Sequence, residues 1–244
     1  LSVLKEAIKI MPHEDFIYYG DSLNAPYGTK SVDEIRDLTF AIVDKLLKLG
    51  IKGLAVACNT ATSAAVRQLR IMYPDLTIVG IEPAIKPAVE SNHGGEILVM
   101  ATPMTIKQEK FNRLLDIYKD RAKIIPVSCK GLMEFVEHGN LNGSFLEAYF
   151  NETLVPYLND TTETIVLGCT HYPFLRPYLK EFLGERRIQI IDGSHGTSCE
   201  LKRQLAGKKL LQKENHEGKV VIKNSMDEPE MIDLSWKLLN LPID

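Results

Sequence analysis

The fold is decided by residues 51–62, which are IKGLAVACNTAT. The apolar run over residues 51–57 is too short for a helix and is flanked by glycine, which predicts a buried parallel strand. Cys58 lies at the carboxyl end of that strand. Thr60 and Thr62 are predicted to cap a helix that ends before the next proline. The order strand, cysteine, helix is the repeating unit of an α/β protein.

The same alternation extends in both directions from this segment. Ser31 and Glu34 form a capping box, and apolar residues then recur at steps of three and four as far as Gly50. This pattern predicts the α/β class with mainly parallel sheets. Further short strands are predicted at 76–81, 97–101, 124–127, 165–167, 188–191 and 220–222, and further helices at 111–118, 145–158, 175–183 and 232–239.

The composition excludes several classes of protein. The 244 residues correspond to one or two domains of about 150 residues, and 45% hydrophobic with 25% charged residues excludes a disordered or collagen-like chain. A net charge of −3 provides no general positive field for nucleic acid or anionic lipid. No apolar run approaches the roughly 20 residues of a membrane span. We therefore expect no nucleic-acid and no membrane partner and, without a secretion signal, a cytoplasmic location.

The cysteines divide into two pairs. None belongs to a C-x-x-C motif, which argues against a disulfide scaffold or a zinc ribbon. Cys129 and Cys199 lack a distinctive setting and are predicted to be structural. Cys58 and Cys169 each follow a similar predicted strand, about one domain length apart, so two α/β halves could each present one thiol to a shared cleft. We predict a first domain over 1–82 plus 193–244 and a second over 83–192.

The settings of Cys58 and Cys169 suggest proton transfer. The start of a helix offers unpaired N–H groups and a positive dipole end, which favour a thiolate and an anionic substrate. The alternative is that each cysteine is simply a packed residue at a strand end. The polar neighbours are Asn59 and Thr60 for Cys58, and Thr170 and His171 for Cys169.

The other histidines (His13, His93, His138, His195 and His216) are predicted to be satisfied or exposed. Residues 192–196 are predicted to form a turn.

Three motifs in combination resemble the glutamate racemases, members of the cofactor-independent aspartate/glutamate racemase group. They are Pro26-Tyr27-Gly28, residues 57–62 and residues 168–173. Segments at 20–22, 81–83, 101–105 and 136–137 match in order, so the resemblance covers nearly the whole chain. It implies interconversion of L- and D-glutamate for peptidoglycan synthesis without pyridoxal phosphate or metal, by an enzyme expected to be a homodimer.

The resemblance also implies a role for each matching residue. The thiol that matches Cys58 acts on D-glutamate, and the one that matches Cys169 acts on L-glutamate. Glu137 and His171 match the acidic and imidazole groups that assist, although Glu137 is equally compatible with a solvated charge at a helix end. The positions that match substrate contacts are Tyr27, Gly28, Asn59, Thr60, Thr102, Thr170 and His171.

One departure from the family pattern concerns the first residues. The family opens with a strand that ends in Asp-Ser-Gly, whereas this sequence begins at Leu1, inside what the resemblance predicts to be the next helix. We expect a truncated record, and a chain without that strand to fold poorly and to have little activity. The alternatives are an aspartate or hydantoin racemase, a catalytically silent amino-acid-binding protein and, more remotely, a thiol redox or zinc protein.

Overall fold

The helices and strands alternate along the chain. The structure is a computed structural model that describes residues 1–243. Every strand pair in it is parallel, which confirms the predicted α/β class with mainly parallel sheets. The elements are α1 (Ser2–Ile10), β1 (Phe16–Gly20), α2 (Val32–Leu47), β2 (Gly53–Val56), α3 (Asn59–Met72), β3 (Thr77–Gly80), α4 (Ile85–Glu90), β4 (Glu96–Ala101), α5 (Pro103–Lys107), α6 (Glu109–Tyr118), β5 (Lys123–Ser128), α7 (Leu132–Glu137), α8 (Ser144–Thr153), β6 (Thr162–Leu167), α9 (Arg176–Leu183), β7 (Gln189–Asp192), α10 (Ser194–Gly207), β8 (Val220–Asn224) and α11 (Pro229–Asn240).

The chain divides into two compact units. The first contains Leu1–Glu82 and Ser194–Asn240, and the second contains Pro83–Gly193 together with residues 241–243. That each unit behaves as a domain with the boundaries expected from the sequence stays a prediction.

The first unit is built on two short parallel sheets. In one, β1 pairs with β8, and in the other, β2 pairs with β3. Helices α2 and α3 pack on the second sheet through a core that includes Ile35, Val43 and Leu69. Helices α1 and α10 contribute a separate apolar cluster that includes Ala7, Met11, Val79, Leu201 and Leu205.

The second unit contains a four-stranded parallel sheet in the order β5-β4-β6-β7. The central strands β4 and β6 are almost completely buried, as expected for continuous apolar runs covered on both faces. Because all four strands are parallel, their carboxyl ends lie at one edge. The residues at that edge are Ala101, Ser128, Leu167 and Asp192.

The predicted start of α2 is confirmed, whereas the predicted cap of α3 is wrong. Ser31 Oγ accepts a hydrogen bond from the Glu34 N–H at 3.2 Å. For α3, the N-cap is Cys58 rather than Thr60 or Thr62. Thr62 lies inside the helix, where its hydroxyl instead donates to the Val56 carbonyl oxygen at 3.1 Å.

Sequence reasoning missed several short elements and the start of α10. The prediction that residues 192–196 form a turn is wrong, because β7 extends to Asp192 and α10 begins at Ser194. Strand β1 and helices α4, α5 and α7 were not predicted, because their five or six residues are too few for a clear period. The helix predicted over 145–158 is also too long. Helix α8 ends at Thr153, and a separate 3-10 turn with Pro156 near its start follows, since proline cannot continue the hydrogen-bond ladder. Within residues 1–243, no helix combines the length and the apolar character needed to cross a membrane.

Candidate active site

Cys58 connects β2 to α3 in the first unit. Its backbone is extended, its side chain is half-buried, and its Sγ accepts a hydrogen bond from the Ala61 N–H at 3.5 Å. The sulfur therefore occupies the N-cap position, where helix N–H groups and the helix dipole favour negative charge. Asn59 and Thr60, which are predicted to contact substrate, occupy the first turn of α3 and are buried.

Tyr27 and Gly28 belong to a 3-10 turn that follows β1 in the same unit. Tyr27 packs with Cys58 against the core shared by α2, α3 and their sheet. Its hydroxyl donates to Asp21 Oδ2 at 2.5 Å. Burial and this hydrogen bond raise the pKa of Tyr27 well above its usual range, so the phenol stays protonated and its orientation is fixed by Asp21.

Cys169 lies at the carboxyl edge of the four-stranded sheet in the second unit. The Gly168 N–H donates to the Met100 carbonyl oxygen at 2.7 Å, which holds this residue against β4. A Cβ at Gly168 would come within 2.7 Å of the same oxygen, so a glycine is required immediately before the cysteine. The expectation that Cys169 begins an α-helix is wrong. A 3-10 turn over Tyr172–Leu175, with Pro173 near its start, precedes α9, which begins only at Arg176.

A different arrangement supports the Cys169 thiol. Its Sγ lies 3.7 Å from His171 Nδ1, and His171 Nε2 lies 2.6 Å from Glu137 Oε1 at the end of α7. The imidazole therefore joins the thiol to a carboxylate. Glu137 is not merely a solvated charge at a helix end, because it orients the ring through this contact.

The protonation of this group follows from its surroundings. Burial disfavours the charged form of His171, but the hydrogen bonds with Cys169 and Glu137 outweigh it and raise the pKa of His171 to about 9. The hydrogen bond from His171 lowers the pKa of Glu137, although burial opposes this effect. At neutral pH the pair is therefore an imidazolium next to a carboxylate, with the positive ring facing the thiol.

The remaining candidates in the second unit lie near the same edge. Thr102 directly follows β4 and caps α5, where its hydroxyl oxygen accepts from the Thr105 N–H at 3.2 Å. Thr170 lies between Cys169 and His171 and is half-buried. The structure thus gathers Cys169, Thr170, His171, Glu137 and Thr102 in one unit and Cys58, Asn59, Thr60, Tyr27 and Gly28 in the other.

The two other cysteines differ from each other. Cys129 is 1% exposed, and its burial raises the pKa of the thiol to about 12, as expected for a structural residue. Cys199 is exposed, and its Sγ lies 3.5 Å from His195 Nε2. Cys199 is therefore not the packed structural residue that was predicted, whereas His195 is exposed, as predicted. The contact between Cys199 and His195 could have been found in the sequence, because residues four positions apart on one helix lie on the same face.

Among the described residues, no group of three or more His, Cys, Asp and Glu side chains is arranged to hold a metal ion. None of the four cysteines forms a disulfide.

Comparison with known proteins connects these settings to one family. Residues 2–195 match the family described as Asp/Glu/Hydantoin racemase. A glutamate racemase of Clostridium botulinum is 53% identical over 241 residues, which is 99% of this chain and 93% of that protein.

Solved structures agree with this result. A glutamate racemase isoform of Bacillus anthracis superposes with a TM-score of 0.86 at 29% identity, covering 100% of this chain and 91% of that one. The glutamate racemase of Thermus thermophilus, solved in complex with beta-chloro-D-alanine, gives a TM-score of 0.79 at 25% identity, with coverage of 100% and 90%.

The chain belongs to the Asp/Glu/Hydantoin racemase family. Its predicted resemblance to the glutamate racemases is confirmed, and it is an amino-acid racemase.

Proposed function

We propose that this protein interconverts L- and D-glutamate. The choice of substrate is supported by the 53% identity to the Clostridium botulinum glutamate racemase over nearly the full length of both chains. The proposal extends to a cytoplasmic homodimer that supplies D-glutamate for peptidoglycan synthesis. These last points rest on the family resemblance alone.

The proposed mechanism uses Cys58 and Cys169 on opposite faces of the substrate Cα. One sulfur, as thiolate, takes the Cα proton and becomes a thiol, and the other thiol gives its proton to the opposite face and becomes a thiolate. The roles exchange in the reverse direction, so protons and charges balance without a redox step or cofactor. Cys58 would act on D-glutamate and Cys169 on L-glutamate.

The observation that carries this mechanism is that each thiol has its own group able to stabilise a thiolate. Cys58 Sγ accepts from an N–H at the start of α3, and Cys169 Sγ faces an imidazolium held by Glu137. A proton next to a carboxylate is a very weak acid, so both bases need such preorganised support. Asn59, Thr60, Thr102 and Thr170 are proposed to bind the substrate, with Tyr27 and Gly28.

The test follows the Cα proton of glutamate by NMR in D₂O without added cofactor, together with optical rotation. For the wild-type protein and for Cys199→Ser, the matched control, we expect the Cα proton to exchange with solvent deuterium and the optical rotation to be lost at a matching rate. Racemisation should be lost in Cys58→Ser and Cys169→Ser with circular dichroism unchanged. Full activity in either of these two variants would refute the two-thiol mechanism, and exchange of aspartate in preference to glutamate would refute the substrate assignment.

A half-reaction assigns each thiol to one face. A glutamate that carries chlorine at Cβ loses HCl after removal of the Cα proton, so elimination needs only one base. Cys58→Ser should keep elimination from the L isomer and lose it from the D isomer, and Cys169→Ser should show the opposite pattern. Identical behaviour of the two variants would contradict the assignment.

A further inference from the structure

A second group of thiol, imidazole and carboxylate lies on the surface of the first unit. His195 and Cys199 are four residues apart on α10, and Cys199 Sγ lies 3.5 Å from His195 Nε2. On the other side of the ring, Nδ1 lies 3.4 Å from Glu6 Oε2 on α1. The other oxygen of Glu6 pairs with Lys9 Nζ at 3.0 Å, which helps to hold the carboxylate in place.

This surface group contains the same three residue types as the group around Cys169. With its proton on Nδ1, the neutral ring of His195 donates to Glu6 and presents the lone pair of Nε2 to the thiol. It can therefore accept the thiol proton and hold the resulting thiolate next to an imidazolium, which is the usual way in which a cysteine nucleophile is activated.

Accessibility distinguishes the two groups. Cys199 is exposed, and the side chain of His195 is 72% exposed. By contrast, Cys58 and Cys169 are half-buried and Cys129 is fully buried. An external reagent therefore reaches a sulfur in contact with an imidazole most easily at Cys199.

We propose that Cys199 is a modification site for low-molecular-weight disulfides, with His195 as its proton acceptor and Glu6 as a positioning residue. The Cys199 thiolate attacks one sulfur of the disulfide, a new S–S bond forms, and the original S–S bond breaks. The departing thiolate takes the proton that His195 received, so the products are a mixed disulfide and one free thiol. Cys199 is oxidised, and the departing sulfur is reduced. The proposal does not depend on the racemase function.

The experiment treats the wild-type protein with glutathione disulfide at pH 7.5 and follows the adduct by intact mass and peptide mapping. The first adduct should map to Cys199, forming at least about tenfold faster than any at Cys58 or Cys169. In Cys199→Ser this fast phase should be absent. A first adduct at another cysteine would overturn the proposal.

The role of His195 is tested by His195→Ala, which should slow the reaction of Cys199 about tenfold or more through loss of the base. Added free imidazole should restore part of the rate, which a merely structural role of His195 would not allow. The control is His93→Ala, since His93 is 89% exposed and pairs with Glu163 without contacting a thiol. His195→Gln is a second variant in case alanine disturbs α10. An unchanged rate in a folded His195 variant would overturn the assignment of the base.

Discussion

At the scale of single residues, His171 determines how the Cys169 thiol behaves. Its ring lies between a sulfur and a carboxylate, and this contact raises the pKa of His171 to about 9 despite burial. The imidazolium form therefore persists through neutral pH. The charge next to Cys169 depends on Glu137, a residue 34 positions earlier in the chain.

Glu137→Gln should lower the pKa of His171, because the amide keeps a hydrogen-bonding group but removes the negative charge. NMR titration of the histidine rings would measure this change. Glu134→Gln, the same substitution on the same helix without a His171 contact, should leave the titration unchanged. A His171 pKa of about 9 in the Glu137→Gln protein would contradict the assigned cause.

The same pKa predicts how stability depends on pH. Since the pKa of His171 is raised from 6.5 to about 9 on folding, its stabilising contribution is complete below pH 6.5 and is lost as the pH rises through 9. The difference between these two pKa values corresponds to a stabilising free energy of about 3 kcal/mol at most. Urea unfolding at pH 6.5 and pH 9 should show a smaller loss of stability for Glu137→Gln than for Glu134→Gln.

At the scale of elements, the close packing of α3 on β3 positions the Cys58 thiol. A Cβ at Gly80 would lie 2.5 Å from Thr62 Cγ2 and 2.9 Å from its Oγ1. Thr62 cannot rotate away without losing its hydrogen bond to Val56. The absence of a side chain at Gly80 thus allows α3 to approach the sheet, with Cys58 at its N-cap.

Gly80→Ala should destabilise the protein by about 1–3 kcal/mol through overpacking and reduce kcat/KM by displacing the start of α3. Gly207→Ala is the matched control, since Gly207 lies on α10 with nothing near its Cβ position. It should be neutral or more stable by up to about 1 kcal/mol. Denaturant unfolding and racemisation kinetics measure both effects. Equal stability of the two variants would contradict the packing argument.

At the scale of the whole molecule, the two units have separate cores. Leu69 on α3 and Leu98 on β4 are both 0% exposed, and each belongs to a different unit. Truncation of either to alanine should cost about 2–5 kcal/mol. If the units are domains, the damage should remain within the truncated one.

Hydrogen exchange followed by mass spectrometry measures this separation. Leu69→Ala should accelerate exchange mainly in 1–82 and 194–240, and Leu98→Ala mainly in 83–193. The two variants are each other's control, because the substitution and the burial are the same. Acceleration across the whole chain in both would mean that the protein unfolds as one cooperative body and would contradict the domain assignment.

The sequence by itself determined the α/β class, the Ser31 cap at the start of α2 and the strands that precede Cys58 and Cys169. These features depend on local patterns: apolar runs with a clear period, side chains that cap within three residues, and glycines at turns. The motifs around the two cysteines also identified the family, because several specific segments match in order along the chain.

Only the tertiary structure showed the contacts that surround each thiol, although the family resemblance had already named Glu137 and His171 as groups that assist the cysteines. Glu137 reaches His171 because α7 follows β5 at the same sheet edge, and Glu6 reaches His195 because α1 packs against α10. Such contacts join residues far apart in sequence, so no local pattern records them. The cap of α3 is local by contrast, but the choice between Cys58 and the two threonines depended on side-chain geometry: Cys58 Sγ accepts the Ala61 N–H, whereas the Thr62 hydroxyl donates to the Val56 carbonyl oxygen.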